Sequence, residues 1–88
     1  MSGRVLAWAP EGWEDYLYWQ TQDRKTLKRI NTLIEDIFRD DPFDGIGKPE
    51  PLKHALAGVW SRRIDEANRL VYLVNDHYVT IVQARYHY

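Results

Sequence analysis

The chain has 88 residues, 44% of them hydrophobic and 28% charged, with no cysteine and a formal net charge of -1. That length holds one small domain, and that composition excludes a disordered, collagen-like or low-complexity chain. The lack of cysteine excludes disulfides, thiolate metal sites and a cysteine nucleophile, and the near-neutral charge argues against strong nonspecific capture of nucleic acid, which needs Lys and Arg to displace counterions.

Residues 1–88 are therefore read as a single domain. No stretch reads as a secretory signal, and no apolar run approaches ~20 residues, so a cytoplasmic protein with no membrane partner is expected. The charge is unevenly spread: residues 1–45 hold 6 Lys+Arg against 9 Asp+Glu, whereas residues 46–88 hold 6 against 4. Phosphate binding, if present, belongs to the second half.

Val5-Leu6-Ala7-Trp8-Ala9 is a short apolar run stopped by Pro10 and reads as a strand. Pro10 suits the first turn of a helix, and Trp13, Tyr16, Leu17 and Gln20 follow at helical spacing, giving a helix that ends near Gln22. Asp23 can cap a second helix, in which Leu27, Ile30, Ile34 and Ile37 repeat at intervals of three and four, with Leu33 and Phe38 beside them, before Pro42 stops it. Pro42 to Gly58 carries three prolines and three glycines and reads as a long loop, of a length that usually signals function or disorder. Val59–Asp65, Arg69–Val74 and Tyr78–Tyr86 read as strands of an antiparallel meander, joined by turn formers around Ala67-Asn68 and Asn75-Asp76. Two helices on one face of a sheet would bury both apolar stripes, so the expected class is α+β with the order β-α-α-β-β-β.

Phosphate-cradling glycine loops, His-Glu-x-x-His pairs and Gly-x-Ser-x-Gly elbows are absent from the sequence. His54, His77 and His87 are too dispersed for a metal site; neither metal nor cofactor is expected. Three segments could carry chemistry. In Lys48-Pro49-Glu50-Pro51-Leu52-Lys53-His54 the prolines stiffen the backbone and hold one carboxylate between two lysines, although a rigid surface connector would look the same. Arg62, Arg63, Arg69 and Arg85 lie on strands, where period-two alternation sends Arg62 and Arg63 to opposite faces. An arginine on the face away from the helices can hold a phosphate in its fork, or it can form ordinary surface ion pairs with Asp65, Glu66 or Asp76. Finally, Arg85-Tyr86-His87-Tyr88 offers a titratable imidazole among rings that can stack on bases, on a segment that frays by default.

These segments together resemble one family. Trp13-Glu14-Asp15-Tyr16-Leu17-Tyr18-Trp19-Gln20, Gly47 to His54, Trp60-Ser61-Arg62-Arg63-Ile64, Arg69-Leu70-Val71-Tyr72 and Arg85 to Tyr88 are similar, in order and spacing, to the YoeB toxins of type II toxin–antitoxin systems. The resemblance implies the RelE-like microbial ribonuclease fold and a ribosome-dependent mRNA endonuclease acting in the ribosomal A site. It also implies neutralisation by a YefM-type antitoxin; the oligomeric state, with a homodimer as one option, stays open at this level. Carried over residue by residue, it places catalysis on Glu50, Arg69, His87 and Tyr88, and RNA binding on Lys53 and Arg63, with Lys48 and Arg85 as supporting cations. Such a set permits attack of a ribose 2′-OH on its own 3′-phosphate without a metal. Whether Glu50 or His87 acts as the general base stays open at this level, as does the alternative of a non-catalytic translation inhibitor that only binds RNA or the ribosome. Asn68 departs from the pattern, standing before Arg69 where the family suggests a larger polar residue such as His. Ala55 and Ala57 likewise replace polar neighbours after His54.

Overall fold

A computed structural model describes residues 3–53, 55 and 57–86. The strand β1 (Val5–Trp8) leads into helices α1 (Pro10–Gln22) and α2 (Arg24–Arg39). After them come β2 (Glu50–Pro51), β3 (Val59–Arg63), β4 (Arg69–Val74) and β5 (Tyr78–Gln83). The five strands form one sheet in the order β1-β5-β4-β3-β2, antiparallel throughout except for β1, which runs parallel to β5. Both helices pack on the sheet, and the expected α+β architecture is present. Among the described residues no helix is long and apolar enough to cross a membrane.

The second helix follows its periodicity closely. Ile30, Leu33 and Ile37 are fully buried and meet Leu70, Tyr72, Val79 and Ile81 of the sheet in the core. Asp23 caps the helix as expected: its carboxylate accepts from the backbone N–H groups of Lys25 and Thr26 and from the Thr26 hydroxyl. The hydroxyl hydrogen bond and those two amides stabilise the anion and hold its pKa below the ordinary carboxylate value.

The first helix departs from its expected stripe. Trp13 and Leu17 stay 44% and 43% exposed, while Gly12 is the buried residue of the helix. The reason is the closeness of the helix to β5, where an added Cβ on Gly12 would stand 2.2 Å from the Ile81 carbonyl oxygen. With the axis drawn down there, Asp15, Tyr16 and Trp19 turn toward the sheet. The Asp15 carboxylate accepts from the Ala84 N–H, and the Trp19 indole N–H donates to the Ala84 carbonyl. Two effects oppose each other in Gly12→Ala: better helix propensity, worth about 1 kcal/mol, and overpacking against rigid backbone, costing about 1–3 kcal/mol. The contact is far inside van der Waals distance, so overpacking wins. Gly12→Ala is expected to lower the melting temperature, and a rise would show that α1 can lift off β5 without loss.

The strand ends also differ from the pattern. β5 stops at Gln83 rather than Tyr86, and its ladder slips by one residue just before that end: Val71 faces Gln83 while Tyr72 faces Ile81, leaving Val82 as the extra residue of a bulge. Ala84 then bonds to α1 instead of to β4. β3 ends at Arg63 because Ile64 N–H and Asp65 N–H both turn to the Asn68 carbonyl and close the β3–β4 connection. Within the long loop, Glu50 and Pro51 form the short β2, paired in register with Ser61 and Trp60.

Candidate active site

Alternation along β3 settles the two adjacent arginines. Arg62 points to the helix side and is fully buried. It donates to the Asp36 carboxylate at 2.6 Å, to the Tyr72 hydroxyl, and to the carbonyls of Pro42, Asp44 and Ile46. This arginine fastens the start of the long loop to the sheet, a role that neither its charge nor its place in the sequence disclosed. Hydrogen bonding to Arg62 holds the Asp36 carboxyl below its ordinary pKa despite partial burial, and burial pushes the Tyr72 phenol upward.

The opposite face of the sheet carries the expected site. Arg63 and Arg69 are directly paired across β3 and β4, and Glu50 is paired with Ser61, two residues before Arg63 on the same strand. Side chains two apart on a strand, and those directly opposite on a neighbour, share a face. Glu50, Ser61, Arg63 and Arg69 therefore stand together on the side away from α2. Glu50 Oε1 accepts from Arg69 Nη1 at 3.3 Å. The arginine side chain is 17% exposed and the carboxylate 58% exposed.

The backbone explains how Glu50 comes to this place. Gly47 and Lys48 have φ values of +80° and +51°, and the Gly47 carbonyl accepts from Arg63 N–H at 2.7 Å. That left-handed pair turns the chain onto β3, and the prolines on either side of Glu50 keep it extended. A side chain on Gly47 would press on Leu33 and on the Arg62 Cβ.

The expected RNA-binding residues do not share one environment. Lys48 and Lys53 are exposed on either side of β2, and Arg63 is exposed beside Arg69, its carbonyl accepting from Arg29. Arg85 is half-buried, its guanidinium 3.5 Å from the Tyr18 ring centre and 4.5 Å from that of Tyr86. His54, His87 and Tyr88 lie outside the described residues. The sequence offered Tyr86 only as one of the rings that can stack on bases, and Asn68 only as a departure from the family pattern. Tyr86 has φ +68°, its N–H donates to Asn68 Oδ1, and its carbonyl accepts from Arg69 N–H.

Two arginines directly opposite each other on neighbouring strands repel, and among the described residues the partly exposed Glu50 carboxylate, paired with Arg69, offsets part of that charge. The arrangement can accept an anion between two guanidinium forks, with a carboxylate alongside to take or give a proton.

The YoeB-like toxin family of bacterial type II toxin-antitoxin systems matches residues 8–88. A Toxin YoeB from Streptomyces coelicolor is 60% identical over 83 residues, covering 94% of this chain and 98% of that protein. Among solved structures, the YoeB dimer from Staphylococcus aureus superposes with a TM-score of 0.90 at 44% identity, covering 98% of this chain and 99% of the other. The YoeB-YefM complex from the same organism contains a chain matching with a TM-score of 0.86 at 44% identity, over 97% and 98% of the two chains. With the RelE-like fold, the paired arginines and the Glu50–Arg69 contact in place, this chain belongs to the YoeB-like toxin family of bacterial type II toxin–antitoxin systems.

Proposed function

We propose that this toxin is a ribosome-dependent endoribonuclease that cuts mRNA in the ribosomal A site and so inhibits translation, with residues 1–88 acting as one catalytic unit. The observation that supports it most is the cluster of Arg63, Arg69 and Glu50 on one sheet face, where like charges are set opposite each other and a carboxylate touches one of them. Cross-strand repulsion of that kind weakens a fold and becomes favourable once a phosphate lies between the charges.

The reaction is an internal transesterification. The ribose 2′-oxygen attacks the adjacent phosphorus as Glu50 takes the 2′-OH proton. The bond from phosphorus to the 5′-oxygen breaks, and His87 protonates the leaving oxygen, which yields a 2′,3′-cyclic phosphate and a 5′-OH. Arg69 exchanges its contact with Glu50 for the phosphoryl oxygens, freeing the carboxylate and offsetting the charge that builds on the transferring group. Arg63, Lys48, Lys53 and Arg85 hold the flanking RNA, and Tyr88 orients or stacks on it. No metal or cofactor has a step in this scheme. The ribosome supplies the position of the substrate, so a chain of net charge -1 need not capture mRNA from solution.

We further propose a YefM-type antitoxin as its neutralising partner and a homodimer as a second assembly, supported by the Staphylococcus aureus relatives solved in those two forms. The cytoplasm, where ribosomes and mRNA meet, is the proposed place of action. The test is the chemistry of the products. Ribosomes programmed with one mRNA should give an upstream fragment ending in a cyclic phosphate and a downstream fragment with a 5′-OH, and cutting of short RNA by the protein alone should persist in EDTA. An upstream 3′-OH, or loss of free-RNA cutting in EDTA, overturns metal-free 2′-OH attack. Arrested translation with intact mRNA identifies the non-catalytic inhibitor instead.

A further inference from the structure

The slip between β4 and β5 decides which side chain stands beside Arg69. Val74, Leu73 and Tyr72 face Val79, Thr80 and Ile81, and that register carried on would set Val82 opposite Val71. Gln83 stands there instead, with Val82 as the extra residue. Bulges beside active sites re-aim side chains, and this one exchanges a valine for an amide. The face it occupies is the one that carries Glu50 and Arg69. Gln83 is paired with Val71, Val71 with Ser61 and Ser61 with Glu50, a single row across four strands. Arg69 lies two residues before Val71 on the same face, which makes it a diagonal neighbour of Gln83. Ala84, the next residue in the chain, belongs to the buried core on the helix side.

Gln83 is also held in one orientation. Its successor Ala84 is bonded to α1 at both main-chain groups, the N–H donating to Asp15 and the carbonyl accepting from Trp19. Arg85 follows with its guanidinium on the Tyr18 ring, and the Arg85 carbonyl accepts from Gln83 Nε2 at 2.5 Å. Only the nitrogen end of an amide can donate to a carbonyl, so this contact fixes which end is which. Oε1 and the second Nε2 hydrogen are left for another partner, and no hydrogen bond among the described residues takes either. A half-buried amide on the site face therefore offers one acceptor beside one donor.

We propose that Gln83 reads the nucleobase on the 3′ side of the cut. This rests on the nuclease reading of the site, and the chemistry of that reaction supplies the direction. The attacking 2′-oxygen belongs to the upstream nucleotide and gives its proton to Glu50 on β2. The leaving 5′-oxygen belongs to the downstream nucleotide and stands roughly in line, on the far side of the phosphorus. With the phosphate at Arg69 on β4, the downstream nucleotide extends toward β5, on the opposite side of β4 from Glu50. Gln83 is the amide that the bulge sets there. An acceptor beside a donor matches the N6–H and N7 of adenine, the base edge that glutamine pairs with bidentately. Gln83 touches no reacting atom; it sets which base lies best beside the cut.

The test maps the cut in one mRNA on programmed ribosomes and then varies the nucleotide on each side of it separately. Single-turnover rates are compared for wild type, Gln83→Met and Gln83→Ala, with Arg69→Ala as the inactive control and a melting curve for each variant. Wild type should cut before adenine at least about 5-fold faster than before the other three bases, the low end of what one bidentate base contact discriminates. Both folded variants should cut before all four bases at similar rates, with any preference for the upstream base unchanged. The ribosome contributes equally to every variant, so the difference from wild type reports on Gln83. A downstream preference that survives in both variants overturns the proposal. So does an equal fold loss before every base, the mark of a residue that only braces Arg85. Cutting by wild type without a downstream preference overturns it too, and leaves the nuclease reading standing. If wild type does not cut at all, the nuclease reading falls and takes this role with it.

Discussion

Arg69→Ala is expected to lower mRNA cleavage by at least ~10²-fold while the fold survives, since removal of one preorganised charge-stabilising group typically costs about 10²–10³-fold. The stability side follows from the environment of Arg69. Among the described residues its ion pair is with a Glu50 that is 58% exposed, and such pairs contribute about 0–1 kcal/mol. The substitution also removes repulsion from Arg63 across the strand pair, which works in the opposite direction. The Arg69 backbone bond to Tyr86 is kept, because it uses the main-chain N–H. Activity and stability should therefore separate cleanly. Arg69→Lys sharpens the test: a point charge replaces a planar fork, and a large residual defect would show that bidentate geometry matters beyond charge. Arg63→Ala should cost less than Arg69→Ala, because Arg63 has no contact with Glu50 among the described hydrogen bonds and ion pairs. Single-turnover cleavage on ribosomes, with melting curves for each variant, checks all three. Wild-type rates from folded Arg69→Ala would remove it from the transition state.

Local patterns disclosed much of this molecule because local physics governs them. The spacing of Ile30, Leu33 and Ile37 marks the face of α2, Asp23 is a cap whose geometry needs only the next three residues, and the meander follows from β-branched runs and short turns. What stayed hidden depends on residues far apart in the chain. Glu50 meets Arg69 across 19 residues only because a two-residue strand pairs with β3, and two residues carry no detectable periodicity. Trp13 and Leu17 satisfied helical spacing yet remain outside, since the burial of α1 is decided by Gly12 meeting the β5 backbone. The bulge at Val82 has no composition signal at all, and β5 stops one residue beyond it, where Ala84 bonds to α1. Arg62 and Arg63 are chemically identical neighbours with opposite fates. Alternation separates their faces, but only the location of Asp36 on α2 and of the loop carbonyls shows that Arg62 belongs to the core.

That buried arginine should dominate the stability of the chain. Asp36→Ala is expected to reduce unfolding free energy by about 3–5 kcal/mol, the usual cost of leaving one member of a buried ion pair without its partner. For a domain of this length, total stability at about 0.05–0.15 kcal/mol per residue ranges from about the same size to roughly three times larger, and the melting temperature should fall by roughly 12–40 °C. Arg62→Met should be comparably damaging for a different reason. It leaves the carbonyls of Asp44 and Ile46 without the guanidinium donor and deprives Pro42 of one of its two partners, the other being the Tyr72 hydroxyl. The loop would lose its attachment ahead of Gly47, and Glu50 would lose the anchored lead-in that places it beside Arg69. Cleavage by whatever fraction stays folded should therefore fall too. The pair also predicts a pH dependence of definite sign. The Asp36 pKa is lowered in the folded state, chiefly by the hydrogen bond from Arg62, so its stabilisation is complete above the unfolded carboxylate value of about 3.9. It is lost as pH falls through the lower folded value. Asp23 shifts in the same direction, so the informative quantity is the difference between wild type and Asp36→Asn, in which its contribution cancels. That difference, from urea unfolding at about pH 6 and again at about pH 3, should shrink on acidification. A gap that stays constant would mean that Arg62 is held by its carbonyl and phenol partners, with the Asp36 charge contributing nothing.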